Sequence, residues 1–194
     1  MSVAPGFEFD AARDFGRVAP LVVEIGSGTG DAVVHGALSR PETNFLAVEV
    51  YATGLAATVT KIVHHDLTNV RLVHADGVQV LEHMLRPHSV AELWIFFADP
   101  WHKNRHHKRR LVNPAFAELA ASRLAPGGTL RLATDWADYA VHMRDVLAGC
   151  SSLTNPYGGF APRFEGRVMT RFEEKGLASG RAIYDLELRR SGQT

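Results

Sequence analysis

Cysteine is almost missing from this chain: Cys150 stands alone in 194 residues. A single thiol excludes an intramolecular disulfide and any zinc site built from cysteines only. A lone cysteine more often fills a core than attacks a substrate. An excess of charge of either sign is missing too. Lysine plus arginine number 21, as do aspartate plus glutamate, so net charge points to no partner, and any pull on an anion must come from local clustering. No apolar run approaches the ~18 residues of a membrane-spanning helix. The opening "MSVAPGFEFDAARDFGR" lacks the basic-then-apolar pattern of a secretory signal. The expected compartment is the cytoplasm, with no membrane partner. Internal repeats, low-complexity tracts and linkers are also lacking, and a hydrophobic fraction of 46% suits one globular domain.

What is present is an alternation. "LVVEIG" (21–26), "FLAVEV" (45–50), "VRLVHA" (70–75), "ELWIFFA" (92–98) and "GTLRLAT" (128–134) read as strands. Between them, "GDAVVHGALSR", "ATGLAATVTKIVHH", "GVQVLEHML" and "NPAFAELAASRL" carry apolar residues at helical spacing. Such repetition calls for right-handed crossovers and a parallel sheet with helices on both faces. "APGG" at 125–128 predicts a helix stop and turn before the fifth strand. "DWADYAVHMRDVLAG" predicts another helix. From Ser151 to Gly180 periodicity is lost over a stretch too long for an ordinary connection, which marks a candidate functional loop. "AIYDLELRR" (182–190) then alternates as an antiparallel closing strand would. The expected fold is a doubly wound α/β sheet, with residues 1–20 as a short N-terminal segment and 21–194 as a single domain. Ligands bind such sheets at the carboxyl ends of the strands.

"EIGSGTGD" (24–31) joins the first strand to the first helix. A dinucleotide fingerprint would be G-x-G-x-x-G/A, with a pyrophosphate on the helix N-terminus. Here the glycines fall at Gly26, Gly28 and Gly30, and the sixth position is Asp31, which would repel a pyrophosphate. Glu24 adds a second negative charge. S-adenosylmethionine suits the loop better, having no phosphate and positive sulfonium and amino groups. Glu49, 19 residues after Gly30, is placed to accept both ribose hydroxyls, as an acid does in NAD sites too. Asp76 is placed to accept from an adenine amino group. Acids at strand ends also serve as helix caps or solvated loop residues. Glu24, Glu49, Asp76 and Asp99 at four successive strand ends would repel one another without a cationic, donor-rich ligand.

The fourth strand ends in "WIFFADPWHKNRHHKRR" (94–110). In many methyltransferases acting on ring or exocyclic nitrogens, an Asp/Asn-Pro-Pro-aromatic stretch sits at this place. The proline fixes the turn, the acid holds the acceptor nitrogen and the aromatic packs on a planar substrate. Trp101 otherwise serves as a core anchor. Eight of the nine residues from His102 to Arg110 are Lys, Arg or His, and such a run is either solvated surface or a phosphate grip. The five fixed charges, Lys103, Arg105, Lys108, Arg109 and Arg110, match a phosphate backbone better. His102 and His106 stand four apart, but no ligating acid is near and those cations would repel a metal. No metal is expected.

Together these residues resemble the bacterial tRNA (guanine-N7)-methyltransferase family over nearly the whole chain from Leu21 to Arg190. The resemblance is carried by "VEIGSGTG", "FLAVEV", "HADGVQVL", the "FFADPWHKNRHHKRRLVNPAFAELAASRLAPGGTLRLATDWADYAVHM" block and "TRFEEKG". It implies a seven-stranded sheet of the class I S-adenosylmethionine methyltransferase type and S-adenosyl-L-methionine as cofactor. It implies cofactor contacts at Glu24, Gly26, Gly28, Glu49, Asp76 and Asp99, with Asp99 also the acid of the catalytic site. Substrate contacts are implied at Lys103, Asp135, Thr170, Arg171, Phe172 and Glu173, the last four giving the aperiodic segment a role. On this reading Asp99 and Glu173 accept hydrogen bonds from the guanine edge, and Asp135 orients the base. "FADP" stands where the family usually has Phe-Pro-Asp-Pro, Arg171 replaces a usual lysine, and 20 residues precede Leu21 where a longer, often basic segment is usual. The expected partner is tRNA, met by a monomer or homodimer. Rival readings are a paralogue methylating a free purine or related small heterocycle, an RNA-binding protein without turnover, and a nicotinamide oxidoreductase.

Overall fold

In the computed structural model, which describes residues 8–192, the apolar runs become parallel strands. These are β1 (Leu21–Ile25), β2 (Asn44–Glu49), β3 (Val70–His74), β4 (Val90–Phe96) and β5 (Leu124–Thr134). With β6 (Leu153–Thr154) and β7 (Tyr184–Arg190) they form one seven-stranded sheet of order β3-β2-β1-β4-β5-β7-β6. The closing strand β7 runs antiparallel to both β5 and β6. Strand order reverses between β1 and β4, and that switch opens a crevice at the carboxyl ends.

Every residue of β1 and β2 is buried, which is why both read as unbroken apolar runs rather than alternating ones. The side chains still divide by face. Leu21, Val23 and Ile25 enter the core beneath α4 (Gly77–His83), α5 (Pro114–Arg123) and α6 (Ala137–Ala148). Val22 enters a second core with Phe45, Trp94 and the buried side of α2 (Asp31–Ser39), to which Ile62 of α3 (Ala52–His64) adds. The two-residue period therefore puts Glu24 on the α2 side of the sheet. Helix starts follow local chemistry: Asn113 caps α5 by accepting from Phe116 N–H, and Pro114 occupies its first turn. The short helix α1 (Ala11–Phe15) is capped by Asp10 and stopped by Gly16 at φ +72°. Phe9 lies in the main core and the Arg71 guanidinium sits 4.7 Å over Phe15, so the residues just before Leu21 pack on the domain.

Three stretches differ from expectation. "APGG" does not precede β5 but lies inside it: Val90 pairs with Leu124 and Glu92 with Thr129, the register shifting between them. The turn survives as a bulge within the strand. The basic run folds as a 3-10 helix, Asn104–Arg109. The aperiodic segment contains a helix, α7 (Arg171–Ala178), whose buried residues are Glu173 and Gly176. A face made of a carboxylate and a glycine leaves no apolar period to read.

Candidate active site

The carboxyl ends of β1 to β4 surround a cavity of about 880 Å³, within the range of small-molecule sites. Glu24, Gly26, Gly28, Glu49, Asp76 and Asp99 all line it. Gly26 and Gly28 sit at φ +74° and +54°, which glycine adopts without steric cost. Opposite them, a Cβ on Gly54 of α3 would stand 2.5 Å from the Gly28 carbonyl, so loop and helix meet backbone to backbone.

Each acid has a definite position. The buried Glu49 accepts from Gly28 N–H at 2.8 Å with Oε2, and from Val50 and Tyr51 N–H at 2.7 and 2.9 Å with Oε1. It shapes the glycine loop and keeps lone pairs for a ribose. Asp76 is a helix cap as well as a cavity residue: its Oδ1 accepts from Val78 and Gln79 N–H. Glu24 is 4% exposed, and its Oε2 has no hydrogen-bond partner among the described residues. Burial pushes its carboxyl up to about 8, with the charges of Asp31 and Glu49 adding to the rise. A buried acceptor without a donor is costly, and a ligand bringing N–H donors and positive charge removes the cost. Asp31 pairs with Lys61, which also donates to the Thr29 carbonyl at 2.9 Å. Partial burial raises the Asp31 carboxyl, but bonds from Lys61 and Thr29 outweigh it and hold it below the usual value. Asp31 thus stays ionised where a pyrophosphate would lie. These residues fit S-adenosylmethionine and not a dinucleotide.

Beyond β4 the backbone is strained on both sides of Asp99. Phe97 and Trp101 lie at φ +57° and +46°, a conformation costly for bulky residues and found chiefly at functional sites. Asp99 is exposed at the cavity edge. Beside it Arg109 lies 5.0 Å above the Trp101 ring, and His106 meets that ring edge-on at 5.9 Å. His102 instead lies 3.9 Å from the Trp136 ring, so the two histidines do not converge. Among the described residues no group of three or more His, Cys, Asp or Glu is placed to hold a metal.

The expected phosphate grip needs one correction. Lys103, Arg105, Lys108 and Arg109 are exposed, but the Arg110 side chain is 2% exposed and tied to Asp138. A guanidinium withdrawn from solvent and paired inside the fold is not free to bind a phosphate. Lys103 lies outside the cavity wall, whereas Lys108, Arg109 and Arg110 reach it.

The α7 region divides the remaining expected substrate residues. Thr170, Arg171 and Phe172 line the cavity, and Thr170 caps α7 by accepting from Glu173 N–H at 3.2 Å. Glu173 turns inward and is 1% exposed. It accepts from Arg163 Nε at 2.8 Å and from Arg167 Nη2 at 3.0 Å. Arg167, buried against Phe96 and Phe97, also pairs with Asp185 of β7. Burial raises the Glu173 carboxyl, but the two arginines outweigh it and hold it low. With both oxygens engaged away from the cavity, Glu173 does not have the placement expected of a base-edge acceptor. Asp135 accepts from Arg181 Nε at 2.7 Å, and a Cβ on Gly176 would stand 2.9 Å from its side chain. It docks α7 rather than lining the cavity. One rim residue escaped the sequence reading: Tyr51, 69% exposed, at the cavity mouth. An aromatic two positions after the strand-end Glu49 was the available signal.

Comparison with known proteins agrees with this geometry. A family model described as "Putative methyltransferase" matches residues 18–186. The tRNA (guanine-N(7)-)-methyltransferase of Paenarthrobacter aurescens is 47% identical, the match covering 97% of this chain and 79% of that protein. The enzyme of the same name from a Nocardioides species is 51% identical over 97% of this chain and 74% of its own length. Among solved structures, the 16S rRNA methyltransferase KamB superposes with a TM-score of 0.67 at 16% identity, covering 95% of this chain and 94% of that one. That likeness speaks for the fold. The chain belongs to the tRNA (guanine-N7)-methyltransferase family.

Proposed function

We infer that this enzyme transfers a methyl group from S-adenosyl-L-methionine to N7 of guanine in tRNA, at the edge of the cavity where Asp99 stands. The observation that carries the reading is the joining, in one cavity, of the strand-end acids with the strained Asp99-Pro100-Trp101 turn and its exposed cations. Bound in that cavity, the cofactor supplies an electrophilic methyl group on a positive sulfur. Guanine N7 carries an in-plane lone pair, so no proton is removed before attack. The work left to the chain is alignment and electrostatic preorganisation. Asp99 accepts hydrogen bonds from the guanine edge, and its charge favours the positive charge that develops on the methylated purine. Glu24 faces the cofactor's ammonium group, Glu49 its ribose and Asp76 its adenine. Thr170, Arg171 and Phe172 close the substrate side, while Lys103 and its exposed neighbours hold phosphates. Asp135 and Glu173 keep α7 in place. A tRNA substrate puts the enzyme in the cytoplasm; no helix among the described residues is long and apolar enough to cross a membrane.

Replacing Asp99 by Ala tests this site. Methyl transfer to tRNA is expected to fall at least about a hundredfold, the scale of lost orientation, with unfolding temperature unchanged. Wild-type turnover in Asp99→Ala would remove the acid from the mechanism. Transfer to free guanosine, insensitive to salt and with none to tRNA, would favour the small-heterocycle reading, because phosphate-dominated RNA binding weakens steeply as salt rises.

A further inference from the structure

Arg110 closes the basic run, yet it is the one member of that run buried among the described residues. Its Nε donates to the Pro100 carbonyl at 2.9 Å. Its Nη2 reaches Asp138 Oδ2 at 2.5 Å and a His107 ring nitrogen at 3.0 Å. The guanidinium lies 5.1 Å from the centre of the Tyr139 ring. Asp138 and Tyr139 belong to α6, and Tyr139 is fully buried in the main core. One planar cation therefore ties the Pro100–Trp101 peptide, one residue beyond Asp99, to a helix that cannot move without disturbing the core. That turn needs such a tie, because Phe97 and Trp101 hold left-handed conformations at its two ends, which persist only where the surroundings enforce them.

We propose that Arg110 is a positioning residue for the methyl transfer: acting through Pro100, it holds the Asp99 carboxylate at the cavity edge and takes no phosphate of the RNA. The proposal rests on the reading of Asp99 as the acid that holds guanine. Arginine is required because its rigid fork reaches the Pro100 carbonyl and Asp138 together, whereas a lysine ammonium offers one point. A shift of the acid by a fraction of an ångström registers in kcat, since it degrades alignment and not encounter.

Arg110→Lys separates the two roles, because it keeps the charge a phosphate would need and loses the fork. The measurements are kcat and KM for tRNA, the salt dependence of KM, and cofactor affinity by calorimetry. The expected result is a kcat lowered about ten- to a hundredfold, with KM, its salt dependence and cofactor affinity at wild-type values. The exposed Arg109→Ala is the contrast: a raised KM and a salt slope shallower by about one. Asp138→Asn guards against misfolding, because the Asp138 side chain is 63% exposed and its replacement leaves the core intact. It is expected to lower kcat in the same direction as Arg110→Lys, by less. Wild-type kcat in a folded Arg110→Lys overturns the proposal, as does wild-type kcat in Asp138→Asn where Arg110→Lys does not fold. A wild-type enzyme that forms no 7-methylguanosine would take down the functional reading and this role with it. Loss of the kcat effect alone removes only the role of Arg110.

Discussion

Glu24 shows how burial sets the charge of a single residue in the site. Its folded-state value of about 8 lies above the ordinary 4.5, so between those values the folded chain keeps a proton that the unfolded chain has lost. The stability this group contributes is full below the lower value. It is lost as pH rises through the upper one, at about 1.4 kcal/mol per pH unit. Urea unfolding without cofactor should show wild-type stability falling relative to Glu24→Gln across that window. Parallel curves for the two proteins would mean that Glu24 is not a neutral buried acid. The place of Asp99 at the cavity edge was legible from sequence, because Asp-Pro-aromatic closes a strand that ends at the carboxyl side of the sheet. Arg110 was not, because sequence reports that a residue is charged and not whether water reaches it.

At the scale of elements, the strands and long helices were legible and α7 was not. β1 and β2 are buried on both faces, so their composition alone announces them. The buried face of α7 is Glu173 and Gly176, and its stabilisation comes from two arginines supplied by the preceding loop. That gives Glu173 a measurable role. Glu173→Ala would leave the buried Arg167 short of a partner and should cost about 3–5 kcal/mol in urea unfolding. The exposed neighbour Glu174→Ala should stay within about 0.5 kcal/mol. A near-neutral stability change in Glu173→Ala with a large loss of transfer would instead put Glu173 against the substrate. The cluster also explains why Thr170, Arg171 and Phe172 reach the cavity: the residue after them is clamped to Arg167 and, through it, to β7.

At the scale of the molecule, a chain with equal numbers of opposite charges has no overall field to draw in RNA. On the proposed reading the attraction is local, from the exposed Lys103, Arg105, Lys108 and Arg109, of which Lys108 and Arg109 line the cavity that Asp99 edges. Glu24, Glu49, Asp76 and Asp99, with Lys108 and Arg109, line one cavity at the carboxyl edge of a single sheet. Sheet order was legible only as a class, since β6 lies inside the aperiodic segment and β7 enters after it. The central claim is that this edge methylates N7 of guanine in tRNA. Its most direct test is transfer of a labelled methyl group to bulk tRNA, followed by digestion and nucleoside analysis. The account predicts that the label is recovered as 7-methylguanosine and that Asp99→Ala loses it. Label in any other nucleoside, or only in a free purine, would contradict the account.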